Sequence, residues 1–317
     1  RCTRVACQLL HSGSFVTTGT RLETSIQAAL CDMIESSKNF VYMEVEKWVG
    51  GFESENAEDN RIGEALLNRV QRALREGRVW HCYLVLPLLP AMRGDIAKLG
   101  SASLLNALGR QLYALRTLVK RLCVIGVHPE AYLTVLGLRQ WDAADDVAVT
   151  QQVYVHSKVA VADDERALVG SANCDDESLL GIGNSEVCVA IEGRSFSKSL
   201  RFALMAQHLG LGADGSGEQS LREAAANPAS PAARDDIRRV ARRNTLIFED
   251  VFCVLPTERV RSWKDLEAWR QSGPRSGFSI NAKASDERLA DVSGRAVLYP
   301  IEFMANEELR LPSRSRK

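Results

Sequence analysis

His156 and Lys158 stand two positions apart in the run His156-Ser157-Lys158. The residues around them, 153–162, read as a β-strand that turns at 163–165 and returns through 166–169, a hairpin pattern. On a strand, residues two apart project from the same face, so the imidazole and the ammonium would stand side by side. That pair suits a phosphodiester. The imidazole can attack phosphorus or pass a proton, while the ammonium neutralises charge growing on the non-bridging oxygens. Neither task needs a metal, and no cofactor is expected. Asp163 completes the motif and counts among the candidate catalytic residues, although alternation and the turn aim it away from the His156 face, which suggests a structural part.

Gly170-Ser171-Ala172-Asn173 follows the hairpin. Small residues let the backbone approach a ligand, and the Ser171 hydroxyl and Asn173 amide can donate to phosphate oxygens. The loop also precedes a short helix, with Asn173 and Asp176 spaced like a capping box, and a helix N-terminus attracts anions. Asp175, Asp176 and Glu177 in the same turn oppose that attraction. Glu186, on the next strand, is the expected partner of His156, because a carboxylate bonded to an imidazole fixes its tautomer and stabilises its protonated form. Singly, each residue has a plain explanation: a structural histidine, a helix cap, a solvated glutamate. The functional reading rests on all of them falling in one short segment.

The elements that must position these residues alternate. Residues 24–36 carry apolar side chains at helical spacing and lead into a strand over 39–45. A helix over 62–76 is stopped by Gly77 and followed by a strand over 79–86. A long helix over 102–122 precedes an expected short strand at 123–127, and the acidic residues 142–146 read as a surface loop. The fold class is therefore α/β, a mixed β-sheet flanked by helices on both faces. A strand is expected at 185–191. Residues 1–210 would form the catalytic half-domain, and the Gly, Ala, Ser and Pro composition of 211–236 marks a flexible insert. Residues 237–317 would be an extension packing on that domain, with helices over 234–251 and 263–270 and a basic, serine-bearing tail. No internal repeat is evident.

Composition narrows the partner class. Forty acidic and forty basic residues cancel, with 45% apolar residues, which is the balance of a globular protein and disfavours a dedicated nucleic-acid binder. The eight cysteines have no metal-ligand spacing, and Cys82, Cys123 and Cys188 sit in apolar runs that suggest core packing in a reducing compartment. No apolar run is long enough to span a bilayer. The expectation is a cytoplasmic, peripherally membrane-associated protein. The first residue is Arg1 rather than Met, without a signal-peptide pattern, so a fragment is expected.

The run YVHSKVAVADDERALVGSANCDDESLLGIGNSEVCV resembles the phospholipase D family, whose second active-site motif is HxKxxxxD followed by GSxN. VLPLLPAMRGDI at 85–96, GLRQW at 137–141 and ARRNTLIFEDVFCVLP at 241–256 are similar to the C-terminal half of the animal and fungal branch. The resemblance implies hydrolysis of phosphatidylcholine to phosphatidic acid and choline, or phosphatidyl transfer to an alcohol, through a phosphohistidine. It further implies two facing motifs, of which this chain carries one: His11, His81, His128 and His208 all lack a lysine two positions later. The other half-site would come from a missing N-terminal region or a second subunit. Carry-over makes His156 the general acid/base or the nucleophile, favouring the former, with Lys158, Gly170, Ser171 and Asn173 holding the phosphate.

Residues 42–48, YMEVEKW, depart from the family's Ile-Glu-Asn-Gln-aromatic pattern. Glu44 is kept, but Val45 and Glu46 replace the amide pair and Lys47 replaces an aromatic, so the pocket wall formed by Glu44 and Glu46 is altered. Glu177 stands where the family usually has arginine. Two rival readings follow: a non-catalytic lipid-binding or assembly protein of the same fold, and a nuclease or other phosphodiesterase. Arg238, Arg239, Arg242 and Arg243 could touch anionic lipid headgroups, although a solvated helix face is the simpler explanation.

Overall fold

The computed structural model describes residues 5–52, 60–92, 96, 102–272, 282–283 and 285–309. In chain order these form β1 (Ala6–Gly13), α1 (Phe15–Thr18), β2 (Glu23–Thr24), α2 (Ser25–Ser36), β3 (Phe40–Val45), α3 (Ile62–Glu76), β4 (His81–Val85) and α4 (Ala102–Val124). There follow β5 (Leu133–Ala144), β6 (Val147–Gln152), β7 (Lys158–Ala162), β8 (Arg166–Gly170), α5 (Asp176–Leu179), β9 (Glu186–Glu192) and α6 (Arg194–His208). The C-terminal part adds α7 (Gln219–Ala226), α8 (Pro231–Phe252), α9 (Trp263–Ser272), β10 (Ala282–Lys283) and β11 (Ala296–Leu298).

All eleven strands belong to one mixed sheet, ordered β10-β6-β5-β4-β3-β7-β8-β9-β1-β2, with β11 beside β5. β3, β4 and β5 run parallel, and β7 lies antiparallel to β3. Alternation on β3 shows how the layers form. Val41, Met43 and Val45 join a core with Leu30 and Ile34 of α2, Leu66 and Val70 of α3 and Leu108 and Leu115 of α4. Phe40 and Tyr42 face the other way, against Met205 of α6, Leu221 of α7 and Ile237 and Val240 of α8. The sheet is thus covered on both faces, as expected for an α/β fold whose central strands are buried on both sides.

Local signals were met where periodicity is strong. α3 spans 62–76 and ends at Gly77, whose φ of +61° and backbone bond to the Ala73 carbonyl make a left-handed cap that favours glycine. Elsewhere tertiary pairing overrode the local pattern. The expected strand at 123–127 is instead the end of α4: Leu115, Leu118 and Leu122 continue one buried helix face, while Cys123 is exposed rather than in the core. The acidic residues 142–146 are not a free loop but the tip of a hairpin, with Ala143 paired to Ala148 and Ala144 to Val147. A β-branched partner strand supplies the pairing that the acidic composition hides.

Residues 211–236 are also built into the fold. Leu221, Ala224 and Ala225 of α7 and Ala233 of α8 are buried in the core beneath β3 and β4. Small side chains here serve close helix packing rather than flexibility. β11 pairs with β5 and α8 packs on β11, so the C-terminal segment contributes a strand to the same sheet. Residues 93–95 of the 85–96 segment, Cys2 and the basic tail after 309 lie outside the described residues. Among the described residues, no helix is long and apolar enough to cross a membrane.

Candidate active site

Strand order explains why the motif residues meet. β3 and β7 pair antiparallel with Val45 opposite Lys158, so the chain entering β7 runs beside the chain leaving β3. β8 is antiparallel to β7 and β9 to β8, which returns Gly170–Asn173 and the start of β9 to the same end of the sheet. His156 precedes β7 rather than lying on it, in a stretch at 153–157 that belongs to no strand. It nonetheless shares a target with Lys158.

That target is Glu46. Its Oε2 lies 2.9 Å from Lys158 Nζ and 3.2 Å from His156 Nε2, and it accepts from Asn173 Nδ2 at 3.3 Å. Its Oε1 accepts from the Tyr154 hydroxyl at 2.8 Å. Burial alone would raise the Glu46 pKa, but the bonds from Lys158 and Tyr154 outweigh it and hold the carboxyl at about 2. Tyr154 responds in the opposite sense, since burial and the Glu46 carboxylate push its hydroxyl up to about 12. The His156 side chain is 71% exposed, whereas that of Lys158 is 10% exposed and also donates to the His156 carbonyl at 3.0 Å. The imidazole is open to a reactant above a fixed ammonium. Asn173 is buried, and its Oδ1 has no hydrogen-bond partner.

A second carboxylate lies beneath the first. Glu44 is 2% exposed and accepts from the Tyr42 hydroxyl, from Ser157 Oγ at 3.0 Å and from His208 Nε2 at 2.6 Å. Burial opposes its charge, yet the His208, Tyr42 and Ser157 bonds together keep its pKa below 4.5. Ser157, the middle residue of the His-Ser-Lys run, is thereby tied to the sheet. His208 carried no motif signal. Its role comes from the end of α6 meeting β3, a contact between residues 164 positions apart.

Several sequence expectations are corrected here. Glu186 is not the partner of His156: its oxygens accept from Ser171 Oγ and from Ser178 Oγ at 3.2 Å. β8 stands between β9 and β7 in the sheet, which separates Glu186 from His156, and Glu46 takes the place beside the imidazole. Ser171 therefore bonds Glu186 in this state rather than sharing the Lys158 target. Gly170 is required for strand packing, because a Cβ there would come within 2.5 Å of the Val187 carbonyl oxygen and 2.6 Å of Cys188 Cα. Asp163 does not join His156 and Lys158 at Glu46; its carboxylate accepts from the backbone N–H groups of Lys38, Asn39 and Phe40 at 2.6, 2.8 and 3.0 Å. It closes the opposite end of β3. The short α5 is capped by Asp175, which accepts from Ser178 N at 2.9 Å, not by Asn173.

Two departures from the resembled family are neighbours. Lys47 Nζ lies 3.5 Å from Asp175 and 3.8 Å from Glu177, so the cation gained at 47 meets the anion gained at 177. In the α8 cluster, Arg238 pairs with Glu130, Arg239 with Glu218 and Asp236, and Arg243 with Glu218, so three of the four arginines are engaged by acids of the same chain.

The chain is similar to known proteins along most of its length. Residues 136–204, which include His156, Lys158, Asn173 and Glu186, match the family model described as cardiolipin synthase, PLD-like domain. The chain is similar to phospholipase D zeta 1 of Arabidopsis thaliana, at 31% identity over 97% of this chain and 32% of that protein. It matches phospholipase D of Phytophthora infestans at 33% identity over 82% of this chain and 15% of the relative. Phospholipase D2 of Bos taurus is 30% identical over 98% of this chain and 34% of its own length. The chain thus spans about a third or less of these relatives. From the matched domain and from homology along nearly its whole length, the chain belongs to the phospholipase D family.

Proposed function

We propose that this chain supplies one histidine–lysine half-site of a phospholipase D, cleaving phosphatidylcholine to phosphatidic acid and choline or transferring the phosphatidyl group to an alcohol. The observation that supports this reading best is the convergence of His156 Nε2, Lys158 Nζ and Asn173 Nδ2 on one anionic oxygen, at 3.2, 2.9 and 3.3 Å. Three donors that meet on a carboxylate oxygen can meet on a phosphate oxygen. Each such charge-assisted contact is worth about 1.5–3 kcal/mol.

In the proposed reaction, one imidazole forms a nitrogen–phosphorus bond as the phosphorus–oxygen bond to the headgroup breaks. A second imidazole protonates the departing alcohol, then takes a proton from water or an incoming alcohol that attacks phosphorus and frees the first. His156 fills the acid/base part. The second half-site comes from sequence outside these residues or from a partner subunit, and the reaction takes place at a membrane surface facing the cytoplasm.

The test is an assay of the full-length protein on phosphatidylcholine with a primary alcohol present, run beside a nucleic-acid phosphodiester. Phosphatidyl-alcohol is the expected product. Cleavage of the nucleic acid alone would favour a nuclease, and turnover of neither would favour a lipid-binding protein that keeps the fold.

A further inference from the structure

Glu46 has two effects on the site. It engages the three donors just assigned to the phosphate, and it cancels the charge of Lys158, whose only other acceptor among the described residues is the His156 carbonyl. An oxygen of the substrate cannot take the place of Oε2 while the carboxylate remains there. A phosphodiester close by would also meet a like charge in a partly buried setting, where screening is weak. Tyr154 adds a hold from behind, its hydroxyl fixing Oε1 at 2.8 Å.

We propose that Glu46 is a resident anion of the phosphate cradle, one that a phosphodiester must displace before His156, Lys158 and Asn173 can bind it. This inference rests on the phospholipase D reading above and names how that site is held when empty. Glu46 is thereby a specificity residue as well as a restraint. A phosphomonoester, which can carry a second negative charge, is repelled more than a diester, so the returning carboxylate favours release of a phosphomonoester product. The resembled family has an amide at this position, which would leave the Lys158 charge uncompensated and the cradle open.

The experiment compares binding of inorganic phosphate to the full-length protein and to its Glu46→Gln variant, by calorimetry and by inhibition of turnover. Glutamine keeps the length of the side chain and can still accept from Tyr154. The expected result is roughly 10- to 100-fold tighter phosphate binding, lost again when Lys158→Met is added. Tyr154→Phe, which loosens the carboxylate without removing it, is expected to tighten binding by a smaller factor, and it serves as the second variant should Glu46→Gln fail to fold. Equal or weaker phosphate binding in folded Glu46→Gln protein would overturn the inference while leaving the phospholipase reading intact. Absence of phosphate binding in every variant, together with absence of turnover, would overturn both.

Discussion

His208 Nε2 lies 2.6 Å from Glu44 Oε1 at the end of α6, behind the strand that carries Glu46. Glu44 also accepts from Ser157 Oγ at 3.0 Å and from the Tyr42 hydroxyl, so one buried carboxylate braces the peptide between His156 and Lys158. Replacing it by alanine leaves three donors without an acceptor. Glu44→Ala should cost about 3–5 kcal/mol in chemical denaturation, the result of stranding several buried donors at once. His208→Gln can keep a donor to the carboxylate and should cost less than Glu44→Ala. A smaller loss in Glu44→Ala than in His208→Gln would contradict this bracing role.

Asp163 and His156 belong to one sequence motif but should separate by experiment. Asp163 accepts three backbone N–H bonds at the start of β3, so Asp163→Ala should lower stability by about 1–3 kcal/mol. Once the variant is folded, its phosphate affinity should match that of the parent. A folded Asp163→Ala protein that binds phosphate much more weakly would place Asp163 in the site after all.

Arg201 and Asp164 form a buried two-pronged pair, with Nε–Oδ1 at 2.7 Å and Nη2–Oδ2 at 2.8 Å, locking α6 onto the β7–β8 turn. Arg201 also donates to the Ala225 carbonyl in α7. Asp164→Ala should destabilise the fold by roughly 3–5 kcal/mol, because it strands a guanidinium that is fully buried. Thermal and urea unfolding should register that loss together. A change no greater than for an exposed ion pair would contradict it.

His81 predicts a pH dependence of stability. Burial lowers its pKa from 6.5 to about 3, and the neutral ring donates from Nδ1 to the Ala131 carbonyl and accepts at Nε2 from Thr134. Between these two values the unfolded chain binds a proton that the folded protein refuses. Stability should therefore be undiminished by this residue above pH 6.5 and fall as pH drops through that window, at up to about 1.4 kcal/mol per pH unit. Urea titrations of His81→Asn should show a shallower decline over the same range. An unchanged slope would remove His81 as the cause.

How much of this was legible in the sequence follows the range of the interactions. α3 with its Gly77 cap, the hairpin around residue 164 and the start of β9 are set by neighbours a few positions apart, and local pattern located them. The misread strand at 123–127 and the supposed loop at 142–146 depended on which partner each segment found. In the site, the types at 156, 158 and 173 were readable because the motif is compact. Their shared contact was not, since Glu46 reaches Lys158 only through the β3–β7 pairing, across 112 positions. Glu186 was assigned to His156 because both fit the chemistry, and only the strand order reveals β8 between them. The expected flexible insert failed for a related reason: alanines that suit a disordered linker also suit close helix contacts.

The most direct measurement of the central claim is the rate of phosphatidyl-alcohol formation by the full-length protein and its His156→Ala variant, with unfolding followed in parallel. Because the His156 side chain is 71% exposed, its removal should leave the melting temperature nearly unchanged while the rate falls by roughly 10²–10⁴-fold. Product formed at the parental rate by the folded variant would contradict the account.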